Sequence, residues 1–418
     1  MRIAGGWHSG EEWWRVLPPG MTRDGLLLLA ARGIRAFADG LVSLLLPIYL
    51  SRLGFSLWEI GAVITGTLLG SSALTLGVGL FAHRHQRRLL LGLACVLMAA
   101  TGVGFAAVTS FWPLLAVAVI GTMNPSSGDS SVFLPLEQTA LTQTAAAATR
   151  TAVFARYSLI GTLMGAVGTL AAPLTDDVAA ITGWGWTDAA QTMFLLYGAT
   201  GVAALLLYAK LSAAVEHAAA GAPRSALGPS RGIVLRLSAL FCLDSLGSGF
   251  FVQSLLALWL YQRFDLSLAA TASILFWSSL CSAVSFLIAV PVAKRIGLIN
   301  TMVFTHLPSS LFIMAVPFVP DLWMAIALLL ARGALAQMDV PTRNSYVMAV
   351  VRPEERAAAA SVTAVAKSLA SAIGPVLAGG LMAASPFGWS LVVGGGMKAV
   401  YDLLLLASFR SVKPPEEH

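Results

Sequence analysis

The residues with chemical capacity in this 418-residue chain are ionisable side chains set inside long apolar runs. Arg35 and Asp39 stand four apart, hence on one helical face, in the run that begins at Gly25. At about 1.5 Å per residue Asp39 falls roughly 21 Å into that run, near the middle of a bilayer. A carboxyl group at such depth can gain and lose a proton as its surroundings change. The pair is therefore either a proton-coupling carboxylate, held by Arg35 until protonation releases it, or a static ion pair. Lys398 and Asp402 repeat the spacing and read as a structural pair. Asp244 lies beside Ser245, Gly247, Ser248 and Gly249 with no cation at helical spacing, so it is expected to meet water and to act in coupling or substrate contact.

Arg332 and Asp339 are seven apart, two turns of one helix, and with Gln337 and Arg343 they predict a polar stripe. The corresponding run Asn124-Pro125-Ser126-Ser127-Gly128-Asp129 breaks its helix and frees backbone groups, which at membrane depth must be buried in protein or line water. Both stretches suit gating as well as substrate contact, and Glu137 and Gln138 beyond the second read as loop residues. Arg156 and Lys367 fit three roles: gate charges, anion ligands or lipid-headgroup contacts. With the two local pairs set aside, Arg156, Arg332 and Lys367 face only Asp244, so the interior leans positive and favours an anionic or zwitterionic substrate over a cationic drug. Asp39 and Asp244 are the candidates for proton coupling, and Arg35, Arg332, Ser245 and Gln253 for substrate contact.

What must position these residues follows from composition. The chain is 57% hydrophobic and 11% charged, with a mean hydropathy of +0.80. Soluble domains carry about 25% charged residues, so a soluble enzyme, a DNA-binding domain and a secreted disulfide scaffold are excluded. Apolar runs predict twelve spans near 25–50, 57–81, 89–109, 111–129, 151–173, 190–209, 234–260, 267–292, 299–319, 322–342, 358–383 and 387–409. Of the 26 Lys and Arg, seventeen fall on the side of the termini and only Arg52 and Arg263 in the opposite loops, which places both termini in the cytoplasm. The net charge of +6 thus orients the protein rather than binding nucleic acid. Cys95, Cys242 and Cys281 lie in apolar stretches without metal spacing, and no cleaved signal peptide is expected. Trp58, Trp112 and Trp323 read as interface anchors.

The chain also repeats. An offset of 211 lays Arg52-Leu-Gly-Phe-Ser56-Leu57 on Arg263-Phe-Asp-Leu-Ser267-Leu268, Arg84 on Arg295, and Ala155-Arg156 on Ala366-Lys367. Expected domains are an N-terminal tail (1–24), a six-helix bundle (25–209), a cytoplasmic linker (210–233), a second bundle (234–409) and a C-terminal tail (410–418). The loop after the second span reads Gly79-Leu-Phe-Ala-His83-Arg84-His85-Gln86-Arg87-Arg88. On these residues the chain resembles the major facilitator superfamily, whose signature there matches the first Gly and the basic positions. His83 stands where the family has Asp and Gln86 where it has Gly; the second copy is Lys294-Arg295-Ile296-Gly297. In the family that Asp helps latch the halves, a role His83 cannot fill as an anion. A Gly-Pro string tied to antiporters in the fifth span is instead Gly374-Pro375 in span eleven.

The resemblance implies an all-α polytopic membrane protein, twelve transmembrane helices in two pseudo-symmetric six-helix bundles, with substrate between them. Gating then falls to Gly79, His83, Arg84, Arg87 and Arg88 in the first half, with Asp129 and Arg156, and to Arg295, Asp339, Arg343 and Lys367 in the second. The expected function is secondary active transport of a small organic solute by alternating access, proton-coupled efflux before import or facilitated passage of an organic anion. A receptor or scaffold on a carrier fold is the alternative of another class. No phosphate-binding Gly-rich loop occurs, so the chain is not itself an ATP-driven pump. Neither enzymatic activity nor a cofactor is expected. Partners are a small-molecule substrate, protons and membrane lipid, with the protein a monomer in the cell (plasma or inner) membrane.

Overall fold

The computed structural model describes residues 21–81, 85–126, 131–144, 150–216, 228–352 and 355–409, and these are helical apart from turns and short connections. The first half comprises α1 (Arg23–Arg52), α2 (Leu57–Phe81), α3 (Arg87–Ala107), α4 (Phe111–Ile120), α5 (Phe133–Thr144), α6 (Arg150–Ala171), α7 (Leu174–Thr182) and α8 (Trp186–Ala209). The second comprises α9 (Arg231–Gly249), α10 (Gln253–Arg263), α11 (Leu268–Ile296), α12 (Leu298–Ala315), α13 (Leu322–Ala336), α14 (Asp339–Val350), α15 (Arg356–Ala384) and α16 (Trp389–Phe409). Among the described residues eleven helical stretches are long and apolar enough to cross a membrane, and the short apolar α4 begins a twelfth that α5 continues.

Three crossings are interrupted, and the interruptions decide where chemistry can sit. Span four breaks at Gly121–Asn124, ahead of Pro125, as expected, but the chain then resumes as α5. Glu137 is therefore in the buried second part of that span and not in a loop, and the span does not end near residue 129. Span seven breaks between α9 and α10, and span ten at Gln337–Met338. The predicted single-helix stripe from Arg332 to Asp339 is thus divided between two helices. The expected loop 173–189 contains the short helix α7.

The 211-residue repeat survives in backbone geometry. The Leu53 amide donates to the Tyr49 carbonyl at 2.9 Å, and Phe264 to Leu260 at 3.2 Å. Phe55 then reaches back to Leu50, and Leu266 to Tyr261, each at 3.1 Å. Between them Gly54 has φ +87° and Asp265 φ +47°, the left-handed turn that closes a helix, which Gly adopts freely and Asp tolerates. Ser56 and Ser267 next cap α2 and α11.

The halves meet toward the side carrying these turns. Gln253 Nε2 on α10 donates to Ser43 Oγ at 3.2 Å, the Val376 amide on α15 to Thr65 Oγ1 at 3.0 Å, and Arg52 Nη2 to Tyr261 at 3.2 Å. Gly61 lets α2 and α15 touch, for a Cβ there would lie 2.5 Å from the Pro375 carbonyl oxygen. Lipid tails supply no hydrophobic drive between helices, so close approach of small residues must hold them. Gly70 against Val119, and Gly40 against Gly165, do the same within the first half.

Candidate functional site

The densest ionisable group lies in the second half. Asp244 projects from α9 and accepts from Lys398 Nζ (α16) at 2.6 Å through Oδ1 and from Arg343 Nη1 (α14) at 3.1 Å through Oδ2. Arg343 Nη1 is shared with Asp339, one turn earlier on α14, also at 3.1 Å. Lys398 further donates to Ser248 Oγ at 2.7 Å. His306 on α12 places Nε2 3.6 Å from Asp244 Oδ1, and its Nδ1 contacts both oxygens of Asp402 at 2.9 and 3.0 Å. The outcome corrects two expectations. Asp244 has two cations beside it, supplied by other helices, and Lys398 and Asp402 do not pair with each other.

This group borders a cavity of about 410 Å³ between the halves. Asp244, His306, Asp339, Arg343 and Lys398 all reach its wall, and Gln253 and Leu256 contribute where the halves meet. Arg332 also lines it, its guanidinium 5.1 Å over the Phe251 ring with no carboxylate within ion-pair distance among the described residues. From the first half come Arg32, which lies 5.0 Å over Tyr157, and the small residues Gly161, Gly165 and Ala166. A Cβ on Gly161 would come within 2.6 Å of the Arg32 guanidinium, so glycine makes room for that side chain.

Arg35 is elsewhere. It is 1% exposed and forms an ion pair with Glu137, while its Nε donates to the Tyr208 hydroxyl at 3.2 Å. Glu137 also accepts from Tyr157 and Tyr208, each at 2.5 Å, and the Phe133 ring lies 4.0 Å from the guanidinium. Arg35 therefore contacts protein on all sides and is not on the cavity wall, because the continuation of span four as α5 supplies a better partner than Asp39. Asp39, 9% exposed, accepts instead from the Asn124 amide freed by the break in span four. Neither Asp39 nor Ser245 lines the cavity.

The expected gate residues are dispersed. Glu216 accepts from the amides of Arg87 and Arg88 at 2.7 and 3.0 Å, capping the start of α3 where unpaired amides favour an anion. Arg87 Nη1 bonds the Val215 carbonyl at 2.6 Å and Arg88 Nη2 that of Ala209 at 3.0 Å. Both arginines thus fasten the segment after α8 to their own half. Gly79 lies in the last turns of α2 and Arg295 is exposed at the end of α11. Arg156 is half-buried on α6, and Lys367 on α15 is within electrostatic reach of Arg343 and Asp244. His83, Arg84 and Asp129 lie outside the described residues.

Sequence reasoning missed Glu137 and His306 as members of buried clusters. The signal for the first was an acid flanked at helical spacing by Phe133, Leu134, Ala140 and Leu141; for the second, a histidine alone in an apolar run.

Residues 237–418 match the family model described as "Major Facilitator Superfamily". A membrane protein of Saccharomyces cerevisiae, YJR124C, described as uncharacterized, is 24% identical over 426 residues, covering 94% of this chain and 95% of the yeast protein. Among solved structures, the nucleoside transporter NupG superimposes with a TM-score of 0.71 at 15% identity, over 93% of this chain and 100% of NupG. The human organic anion transporter MFSD10 does so with a TM-score of 0.62 at 17% identity, over 93% of this chain and 100% of MFSD10. The chain is thus similar in sequence to the major facilitator superfamily over its second half, and over nearly its whole length it has the fold of that family's transporters.

Proposed function

We propose that the protein is a secondary active transporter that carries a small organic anion across the cell membrane by alternating access, coupled to protons at Asp244. The observation that carries this reading is the charge of the cavity wall. Among the described residues that line it, the permanent cations Arg332, Arg343 and Lys398 stand with two carboxylates, Asp244 and Asp339, which are taken up by Arg343 and Lys398, and Arg332 faces a ring where an acid would be expected. A desolvated cation without a counterion is costly, and a bound anion removes that cost.

The same pattern sets the sign of coupling. Asp244 occupies Lys398 and Arg343 while it is ionised; a proton on Asp244 releases both to a second anion. Proton and anion then favour one another's binding, and the linkage is reciprocal. That is the requirement for symport, and it supports uptake down an inward proton gradient over the efflux expected from the sequence. Exchange remains the second reading because Asp244 itself reaches the wall, where a cationic group would compete with the proton. His306, between Asp244 and Asp402, is placed to pass the proton from the wall to the interior. Both termini lie in the cytoplasm on this reading, following the basic loops.

Purified protein in liposomes tests it. A panel of labelled organic anions is expected to contain one that accumulates when the proton gradient runs in the same direction, with counterflow persisting after the gradient is collapsed. Accumulation of cations alone, or acceleration only by an opposed gradient, overturns the reading.

A further inference from the structure

Several of the cavity's uncommitted hydrogen-bonding groups lie together on one wall. Gly333 brings α13 so close to α11 that a Cβ there would sit 2.7 Å from the Ser278 carbonyl oxygen and 3.4 Å from Ser278 Oγ. Arg332 is the adjacent residue, and the Gln337 amide ties the end of α13 to Ser285 of α11 at 3.3 Å. The side chains that α11 and α13 turn into the cavity include Ser278, Ser279, Ser282, Arg332 and Gln337. Ser282 spends its proton on the Ser278 carbonyl at 3.0 Å. The hydroxyls of Ser278 and Ser279, the Gln337 carboxamide and the Arg332 guanidinium have no hydrogen-bond partner among the described residues. Across the cavity, α6 offers Gly161, Gly165 and Ala166, which give room, and Thr162, whose hydroxyl donates to the Ser158 carbonyl at 3.1 Å.

We infer that the transported anion is a small hydroxylated carboxylic acid, its carboxylate on Arg332 and its hydroxyls on Ser278, Ser279 and Gln337. This rests on the anion-carrier reading and goes further by naming the solute's chemistry. The planar guanidinium, backed by Phe251, presents two parallel N–H groups to a carboxylate. Lys398 and Arg343, held by Asp244 while it is ionised, stand on the same cavity wall and add their attraction to the bound anion when Asp244 takes up a proton. Hydroxyl groups on the solute are required because an alkyl chain would leave the serine hydroxyls dry and unbonded, whereas a polyol replaces their water. The volume of about 410 Å³ lies in the lower part of the range of roughly 300–1,000 Å³ usual for small-molecule sites, which keeps the solute small.

Thermal stabilisation of the full chain in detergent tests this with two matched sets: gluconate, hexanoate and glucose, and glycerate, propionate and glycerol. In at least one set the hydroxy acid is expected to act at about tenfold lower concentration than its deoxy partner, with no effect of the neutral polyol. The double variant S278A/S279A should abolish that tenfold preference and leave the deoxy acid unchanged, and R332Q should remove stabilisation by both acids. Equal action of hydroxy and deoxy acids, or a preference untouched by S278A/S279A, overturns the inference and leaves anion transport standing. Glucose 6-phosphate acting below gluconate overturns the carboxylate assignment in favour of phosphate. A neutral polyol matching its acid overturns the anion reading as well, and silence from both sets overturns the inference.

Discussion

The two halves of the chain share a turn geometry down to single hydrogen bonds, yet their buried ionic clusters are built to opposite ends. In the first half Arg35, Glu137, Tyr157 and Tyr208 form a closed set: one cation, one anion, and two phenols that complete the carboxylate. In the second, Asp244 serves Lys398 and Arg343 with His306 beside it, and the group borders the cavity. Depth in the membrane does not by itself mark a residue as functional. A saturated cluster walled in by protein resists change in protonation or partner, whereas one whose central carboxylate is shared by two cations at a wet boundary can exchange both.

The largest expected effect tests the closed cluster. Glu137→Ala leaves the Arg35 guanidinium buried without a counterion, which costs about 3–5 kcal/mol when one partner of such a pair is removed. The measurement is the thermal unfolding midpoint in detergent, and Glu137→Gln, which keeps the shape and some hydrogen bonds, should fall between it and the parent chain. Should Glu137→Ala unfold no earlier than Asp244→Asn, the contrast between a rivet and a working site is wrong.

Asp244→Asn comes next, with the opposite signature. Water at the cavity can screen Lys398 and Arg343 when the carboxylate is lost, so the unfolding midpoint should move less than for Glu137→Ala. Concentrative uptake should drop to downhill flux, with counterflow retained, because the cations stay but proton and anion no longer depend on each other. His306→Gln should keep anion binding and flatten the pH dependence of uptake. The groups facing that ring are Asp244, Asp402 and Tyr401, with Lys398 and Arg343 beyond Asp244. An unchanged pH profile would sharpen the comparison by confining coupling to Asp244.

How much of this could be read in advance differs by level. The twelve spans and the repeat follow from apolar periodicity and one constant offset, both properties of contiguous residues. Pairings inside the membrane were harder. Arg35 with Asp39, and Lys398 with Asp402, satisfy the i, i+4 rule and still choose partners on other helices, because a helix interior offers one face while a bundle offers several. The same rule held for Asp339 and Arg343. Glu137 was misplaced since a proline and polar run usually ends a span; here α5 resumes and carries the glutamate inward. The positive lean of the interior was read by setting aside two local pairs that do not form, and of Arg156, Arg332 and Lys367 only Arg332 lines the cavity.

The smallest effect concerns the segment joining the halves, whose two ends are fastened differently. Its beginning is held twice to the first half: Ser212 by Asp24, at 3.0 Å through the amide, and Glu216 by the start of α3. Its end depends on Glu355, which accepts from the amides of Gly228 and Ser230 at 3.0 Å each and belongs to the second half. Hydrogen bonding from Ser230, hydroxyl first, and then from the Gly228 amide holds the Glu355 carboxyl below its ordinary value of 4.5. A carboxylate favoured in the folded state adds stability above the unfolded value, and that contribution is lost as pH falls through the folded one. Glu355→Gln should therefore lower the unfolding midpoint slightly at neutral pH, by less than Asp244→Asn, and the difference should vanish below pH 4.5 as the parent carboxylate is protonated. A gap that persists in acid would mean that Glu355 acts through packing, and the end of the segment would then be anchored without charge.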